Sequence, residues 1–124
     1  MPQQSTVLVV DDELGPRESL RAILQPDYRV LVAVEGEQAL RIVEQESVDV
    51  VLLDLRMPGL PGRQVVEKMR VLNPSIKVIV VTSYEPDEMA TKELRPHLFE
   101  YIVKPFNVSY LRETVKRAVA QHPQ

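Results

Sequence analysis

The sequence predicts an α/β fold built on a doubly wound, five-stranded parallel sheet with helices on both faces. Three observations carry that expectation. Short valine-rich blocks alternate strictly with stretches of helical spacing. Four of the five blocks are near-continuous apolar runs, the pattern of strands covered on both faces, rather than the in-out alternation of a half-solvated sheet. The connections are short, which suits right-handed crossovers between parallel strands.

Taken in order, the first strand runs from Thr6 to Val10. The helix after it places Pro16 at its first position, carries Leu20, Ile23 and Leu24 on one face and stops at Pro26. A second strand, Val30 to Val34, leads into a helix from about Glu37 to Glu46, and a third strand follows from Val48 to Leu53. The third helix shows Val65, Val66, Met69 and Leu72 as one stripe and ends at Asn73-Pro74. After a fourth strand, Ile76 to Val81, a short fourth helix spans about Pro86 to Leu94 before Pro96. The fifth strand, Phe99 to Val103, is the weakest of the set. Asn107 is a good N-cap for a fifth helix, which repeats Val108, Leu111, Val115 and Val119 to about Gln121.

A chain of 124 residues suffices for one domain that buries roughly two-thirds of its unfolded surface. Residues 1–124 are expected to form that single domain, with 1–5 as a loose N-terminal tail. Apolar residues make up 44% and charged residues 27%, too aliphatic a mix for a disordered chain. With 15 basic against 18 acidic residues, there is no basic surplus with which to bind nucleic acid. Zero Cys and two His exclude thiol chemistry and a self-contained zinc site, which leaves hard oxygen ligands. The first apolar run, Val7 to Val10, lacks a basic flank and ends at Asp11, so it is neither signal peptide nor membrane span, and the expected location is the cytoplasm.

In such sheets the ligand crevice lies beyond the carboxyl ends of the strands, where the strand order reverses. Those positions hold Asp11-Asp12 after the first strand, Asp54 after the third, Thr82-Ser83 after the fourth and Lys104-Pro105 after the fifth. Each has a plain structural alternative: helix cap for Asp11 or Asp12, turn residue for Asp54, strand former for Thr82, solvated charge for Lys104. Jointly they gather three carboxylates, a hydroxyl and an ammonium at one rim. Carboxylates about 4 Å apart repel by ~4 kcal/mol per pair at an intermediate dielectric, which a divalent cation would offset. Mg²⁺ suits an all-oxygen site and prefers to share a phosphate oxygen, so the chemistry points to an aspartyl phosphate. There is no phosphate-binding G-x-x-x-x-G-K-[ST] loop, and the phosphoryl group is therefore expected from another molecule.

Over about residues 6 to 120 the motifs VLVVDDE, VVLLDLRMPG, VIVVTS and YIVKPF occur in an order and spacing that resembles the receiver domain of bacterial two-component response regulators, the chemotaxis-regulator type included. The resemblance implies a flavodoxin-like three-layer sandwich of strand order 2-1-3-4-5. It also implies that Asp54 accepts a phosphoryl group from the phosphohistidine of a sensor histidine kinase or phosphotransfer protein. Asp12 and Asp54 would then bind Mg²⁺ directly, Asp11 through a water, with the backbone carbonyl of Arg56 completing the protein ligands. Thr82 and Lys104 match the phosphoryl-contacting hydroxyl and lysine, Tyr101 the switch aromatic, and Lys104-Pro105 a bond that is commonly cis. Such a module is no enzyme in its own right. It assists its own phosphorylation and slow dephosphorylation, and acts on a downstream effector domain or protein. A homodimer through the face of the fourth helix, fifth strand and fifth helix is open to it.

Three positions depart from the pattern. His97-Leu98-Phe99, after Pro96, stands where a small Gly-Ala pair is common, Pro61 replaces an Asp or Asn before Gly62, and the bulky Tyr84 lies two residues after Thr82. Three other readings compete with the signalling module. A Mg²⁺-dependent phosphohydrolase would place its nucleophile after the first strand and add a cap domain, and a flavin module would have to seat a phosphate against Asp11, Asp12 and Glu13. A receiver-like scaffold that takes no phosphate would be expected to lack some of these residues.

Overall fold

The computed structural model describes residues 4–84 and 92–121. In chain order the elements are β1 (Thr6–Val10), α1 (Leu14–Leu24), β2 (Arg29–Ala33), α2 (Gly36–Gln45), β3 (Val50–Leu53), α3 (Gly62–Leu72), β4 (Lys77–Thr82), a 3-10 turn (Arg95–His97), β5 (Glu100–Val103) and a C-terminal helix (Val108–Ala120). The strands pair in parallel in the order β2-β1-β3-β4-β5. The chain runs outward from β1 to one edge, returns, and continues to the other, so the order reverses between β1 and β3. The expected fourth helix falls largely outside the described residues: 92–94 are helical and run into the 3-10 turn, and 86–91 are not described.

Alternation of side chains across the sheet explains why the strands read as continuous apolar runs. Leu8 and Val10 of β1 pack with Ala39, Val43, Val65, Val66 and Met69 of α2 and α3 on one face. Val7 and Val9 pack with Leu20 and Leu24 of α1 and with Leu111, Val115 and Ala118 of the C-terminal helix on the other. Both kinds of position are buried, so both are filled with apolar side chains. In β5, an edge strand, only Ile102 is fully buried, which is why its sequence signal was weak. Among the described residues no helix is long and apolar enough to cross a membrane.

Several local expectations are corrected. Pro16 is the third residue of α1, not the first; the position tolerates proline because the first-turn N–H groups have no intrahelical acceptor. Leu72 and Val108 are 43% and 46% exposed and lie off their helices' buried stripes, while Ala118 fills the inward row. Asn107 caps the C-terminal helix as expected, its side chain accepting a hydrogen bond from the Tyr110 amide. The bulky Leu98 and Phe99 are absorbed by opposite faces of the sheet, Leu98 by the α2–α3 side and Phe99 by the other.

Gly36 opens α2 where it crosses α3. A Cβ placed there would lie 2.6 Å from Cγ2 of Val65, a fully buried side chain on α3. Overpacking of this kind costs about 1–3 kcal/mol. The variant Gly36→Ala is therefore expected to lower unfolding stability by that amount in a urea titration while leaving the far-ultraviolet circular dichroism unchanged.

Candidate functional site

The crevice at the reversal point is built from strand ends. The β1 run stops before Asp11 and β3 before Asp54, where the chain leaves the sheet and the first charged side chains of each run appear. Thr82 ends β4, and the Lys104 amide donates to the Thr82 carbonyl at 2.7 Å, extending the β4–β5 ladder by one residue. Asp11, Asp54 and Thr82 are 1%, 4% and 0% exposed, so three polar side chains lie buried at one rim.

Buried polar groups need partners, and these are partnered. The Lys104 ammonium donates to Asp11 Oδ2 and to Asp54 Oδ2, both at 2.9 Å. Asp54 Oδ1 accepts from the Thr82 hydroxyl at 2.9 Å and from the Arg56 amide at 2.7 Å. Asp11 Oδ1 accepts from the Glu13 amide at 2.9 Å, and the Asp11 carbonyl from the Arg17 guanidinium at 3.0 Å. Burial pushes the Asp54 carboxyl upward, but the bonds from Lys104, the Arg56 amide and Thr82 outweigh it and hold the group below its ordinary value. Burial likewise pulls Lys104 down, and its bonds to Asp54 and Asp11 carry it above its ordinary value. At neutral pH the pair is an ionised carboxylate facing an ammonium. The Lys104–Pro105 bond is cis.

The structure thus brings Asp11, Asp54, Thr82 and Lys104 into one hydrogen-bonded cluster. Asp12 stands beside it, exposed, with no ion pair or hydrogen bond among the described residues. Carboxylate oxygens of Asp11, Asp12 and Glu13 lie within 4.8 Å of one another, a grouping to which sequence reasoning had not assigned Glu13. These are the hard oxygen donors that Mg²⁺ takes, and the uncommitted Asp12 carboxylate has capacity for a cation. Also unanticipated is a seam between the loops that follow β3 and β4. The Arg56 guanidinium donates to Ser83 Oγ at 2.9 Å and lies 4.9 Å from the centre of the Tyr84 ring, while the Tyr101 hydroxyl donates to the Tyr84 carbonyl at 3.0 Å. Only the bulk of Tyr84 hinted at it.

Comparison with known proteins meets the same arrangement. Residues 7–116 match the family model described as the response regulator receiver domain. The chain is 34% identical over 112 residues to sporulation initiation phosphotransferase F of Bacillus subtilis (strain 168), covering 90% of each chain. It is 35% identical over 115 residues to transcriptional regulatory protein ZraR of Escherichia coli (strain K12), covering 92% of this chain but only 26% of that one, so it spans about a quarter of that longer relative. Among solved structures it resembles the response regulator protein TrrA from Thermotoga maritima in complex with Mg(2+)-BeF, with a TM-score of 0.82, 36% identity, and coverage of 92% of this chain and 98% of that one. An Asp-ended β1 and β3 joined through a lysine after β5, on a 2-1-3-4-5 sheet matched along nearly its whole length, place the chain in the family of response regulator receiver domains.

Proposed function

We propose that this chain is the phosphoacceptor module of a two-component phosphorelay, with Asp54 as the acceptor. The observation that carries this reading is the single ammonium of Lys104 held 2.9 Å from both Asp54 and Asp11. It keeps a buried carboxylate ionised, hence nucleophilic, and is in place to meet the charge that a phosphoryl group brings. The carboxylate oxygen forms the new O–P bond as the N–P bond of a phosphohistidine breaks, and the imidazole leaves with the electron pair. Thr82 supplies a hydroxyl donor next to the acceptor, and Lys104 neutralises phosphoryl oxygens on a stem flexible enough to follow them.

Asp11, Asp12 and Asp54, with the Arg56 carbonyl, would hold Mg²⁺. When bound, the ion supplies charge neutralisation for the phosphoryl oxygens. The Mg(2+)-BeF complex of the Thermotoga relative supports this reading. Without the ion, Lys104 alone offsets the carboxylates it touches, and Asp12 and Glu13 face solvent.

The output switch runs through Tyr101. New phosphoryl oxygens would draw the Thr82 hydroxyl off Asp54, and the loop that begins at Ser83 carries the carbonyl on which the Tyr101 hydroxyl rests. A change at Asp54 therefore reaches the β5 face through two hydrogen bonds, biasing a two-state equilibrium. The donor partner is a sensor histidine kinase or phosphotransfer protein. The recipient of the signal is an effector domain or protein, and pairing of two copies through the β5 side is a further use of that surface.

Acetyl phosphate with Mg²⁺ is expected to add one phosphoryl group at Asp54, located by peptide mass spectrometry after borohydride reduction. Labelling that persists unchanged in Asp54→Asn would overturn the assignment.

Removal of one carboxylate from the crowded rim gives a second expectation. In Asp12→Asn, Mg²⁺ affinity should fall about tenfold or more, equal to about 1.4 kcal/mol, with the metal-free melting temperature unchanged or raised. A large loss of metal-free stability at unaltered affinity would instead make Asp12 a structural cap.

Phosphoryl lifetime depends on the approach of water in line with the leaving carboxylate, which the Arg56–Tyr84 stack, on the loops that follow Asp54 and Thr82, would obstruct. Slow self-dephosphorylation is expected, with several-fold faster decay in Tyr84→Ala as followed by loss of label. An unchanged rate would remove the steric role of the ring.

A further inference from the structure

At the amino ends of β4 and β5, the opposite rim of the sheet from Asp54, lies a groove of about 210 Å³. Three basic side chains converge on it from three elements: Arg70 from the last turn of α3, Lys77 from the first position of β4 and His97 from the 3-10 turn. Pro96, Leu98 and Phe99 supply apolar wall. No carboxylate lines it among the described residues.

Acidic residues outnumber basic ones, 18 to 15, and Arg21, Arg29, Arg63 and Arg112 each reach a carboxylate. Arg70 and Lys77 are partly buried, yet the side chain of neither makes an ion pair or hydrogen bond among the described residues. Partly desolvated charges of one sign along a concave wall focus potential and attract an ion of the other sign more strongly than exposed charges do. The planar fork of Arg70 fits a carboxylate or phosphate in two-point contact, with Lys77 as a point charge beside it. The Phe99 amide is already committed to the Val78 carbonyl at 2.7 Å, which leaves recognition to the side chains. The volume falls below the ~300 Å³ of the smallest sites for drug-sized ligands, and so suits one oxyanion group rather than a nucleotide.

We propose that this groove is an oxyanion subsite, separate from the phosphoacceptor rim, that takes either a free phosphate-type anion or the side-chain carboxylates of an acidic segment on a partner protein. Both sources present the same chemistry to Arg70 and Lys77, and the test separates them.

The metal-free full chain, labelled with ¹⁵N, is titrated at constant ionic strength with sodium pyrophosphate in one arm and a tetraglutamate peptide in the other, while the amide shifts are followed. Saturable shifts confined to Ile76–Val78 and Leu98–Phe99 are expected in at least one arm, weakened about tenfold in the double variant Arg70→Gln, Lys77→Gln. Stronger response to pyrophosphate identifies a free-ion site, and stronger response to the peptide a partner-docking site. The spectrum of the variant without ligand establishes that it is folded, and Arg70→Gln or Lys77→Gln singly replaces it if it is not. Shifts that stay linear in concentration, that spread to arginines elsewhere, or that persist undiminished in the variant overturn the proposal, as does the lack of response in both arms.

Discussion

One ammonium holds the rim of this sheet together. Lys104 is the only cation that touches the carboxylate groups of Asp11 and Asp54 among the described residues, and without it two carboxylates with almost no solvent exposure would face each other with no counter-charge. A buried charge that loses its partner is strongly destabilising, whereas a pair that keeps its hydrogen bonds is tolerable. The ends of β1, β3 and β5 are therefore tied by charge where their ladders stop, and the Thr82 hydroxyl adds β4 to the same knot. Any cation or phosphoryl group that enters must be accommodated by redistribution of these few bonds, which makes the resting rim a loaded arrangement rather than an empty cup.

The fold was legible because both faces of the sheet are dry. Four strands carry apolar side chains on each face, and that leaves a signal in the sequence as simple as a run of valines. β5 read weakly for the complementary reason: it is an edge, and Glu100 and Tyr101 on it serve hydrogen bonds to Tyr110 and Tyr84 instead of a core. The limits of helices were less legible, since Pro16 is acceptable anywhere in a first turn and Leu72 and Val108 fit a helical stripe without being buried.

The cluster of Asp11, Asp54, Thr82 and Lys104 could be read for the same reason as the strands: each of its members sits at or just past a strand end, so knowing the strands located them. Contacts made by loop side chains could not. Nothing in the spacing of Arg56, Ser83 and Tyr84 announces that a guanidinium from the β3 side crosses to stack on a ring from the β4 side, because the loops that carry them have no periodicity from which to infer direction. Glu13 was equally opaque, as a third acid in a row reads as a solvated helix start until its oxygens are placed beside those of Asp11 and Asp12.

The pairing of Thr82 with Val103 has a wider meaning for how accurately such a rim can be assembled. Lys104 is the next residue along, so its ammonium reaches Asp54 only if β5 is threaded against β4 at this one setting. A slip by one position would carry it about 3.3 Å along the strand and turn it to the opposite face. The same slip would drive Ile102 out of the core and Tyr101 into it, so greasy side chains with no part in the chemistry act as the gauge that sets the chemical groups. Drift in those interior residues is then constrained by the rim's tolerance, well before the domain's ability to fold is at stake.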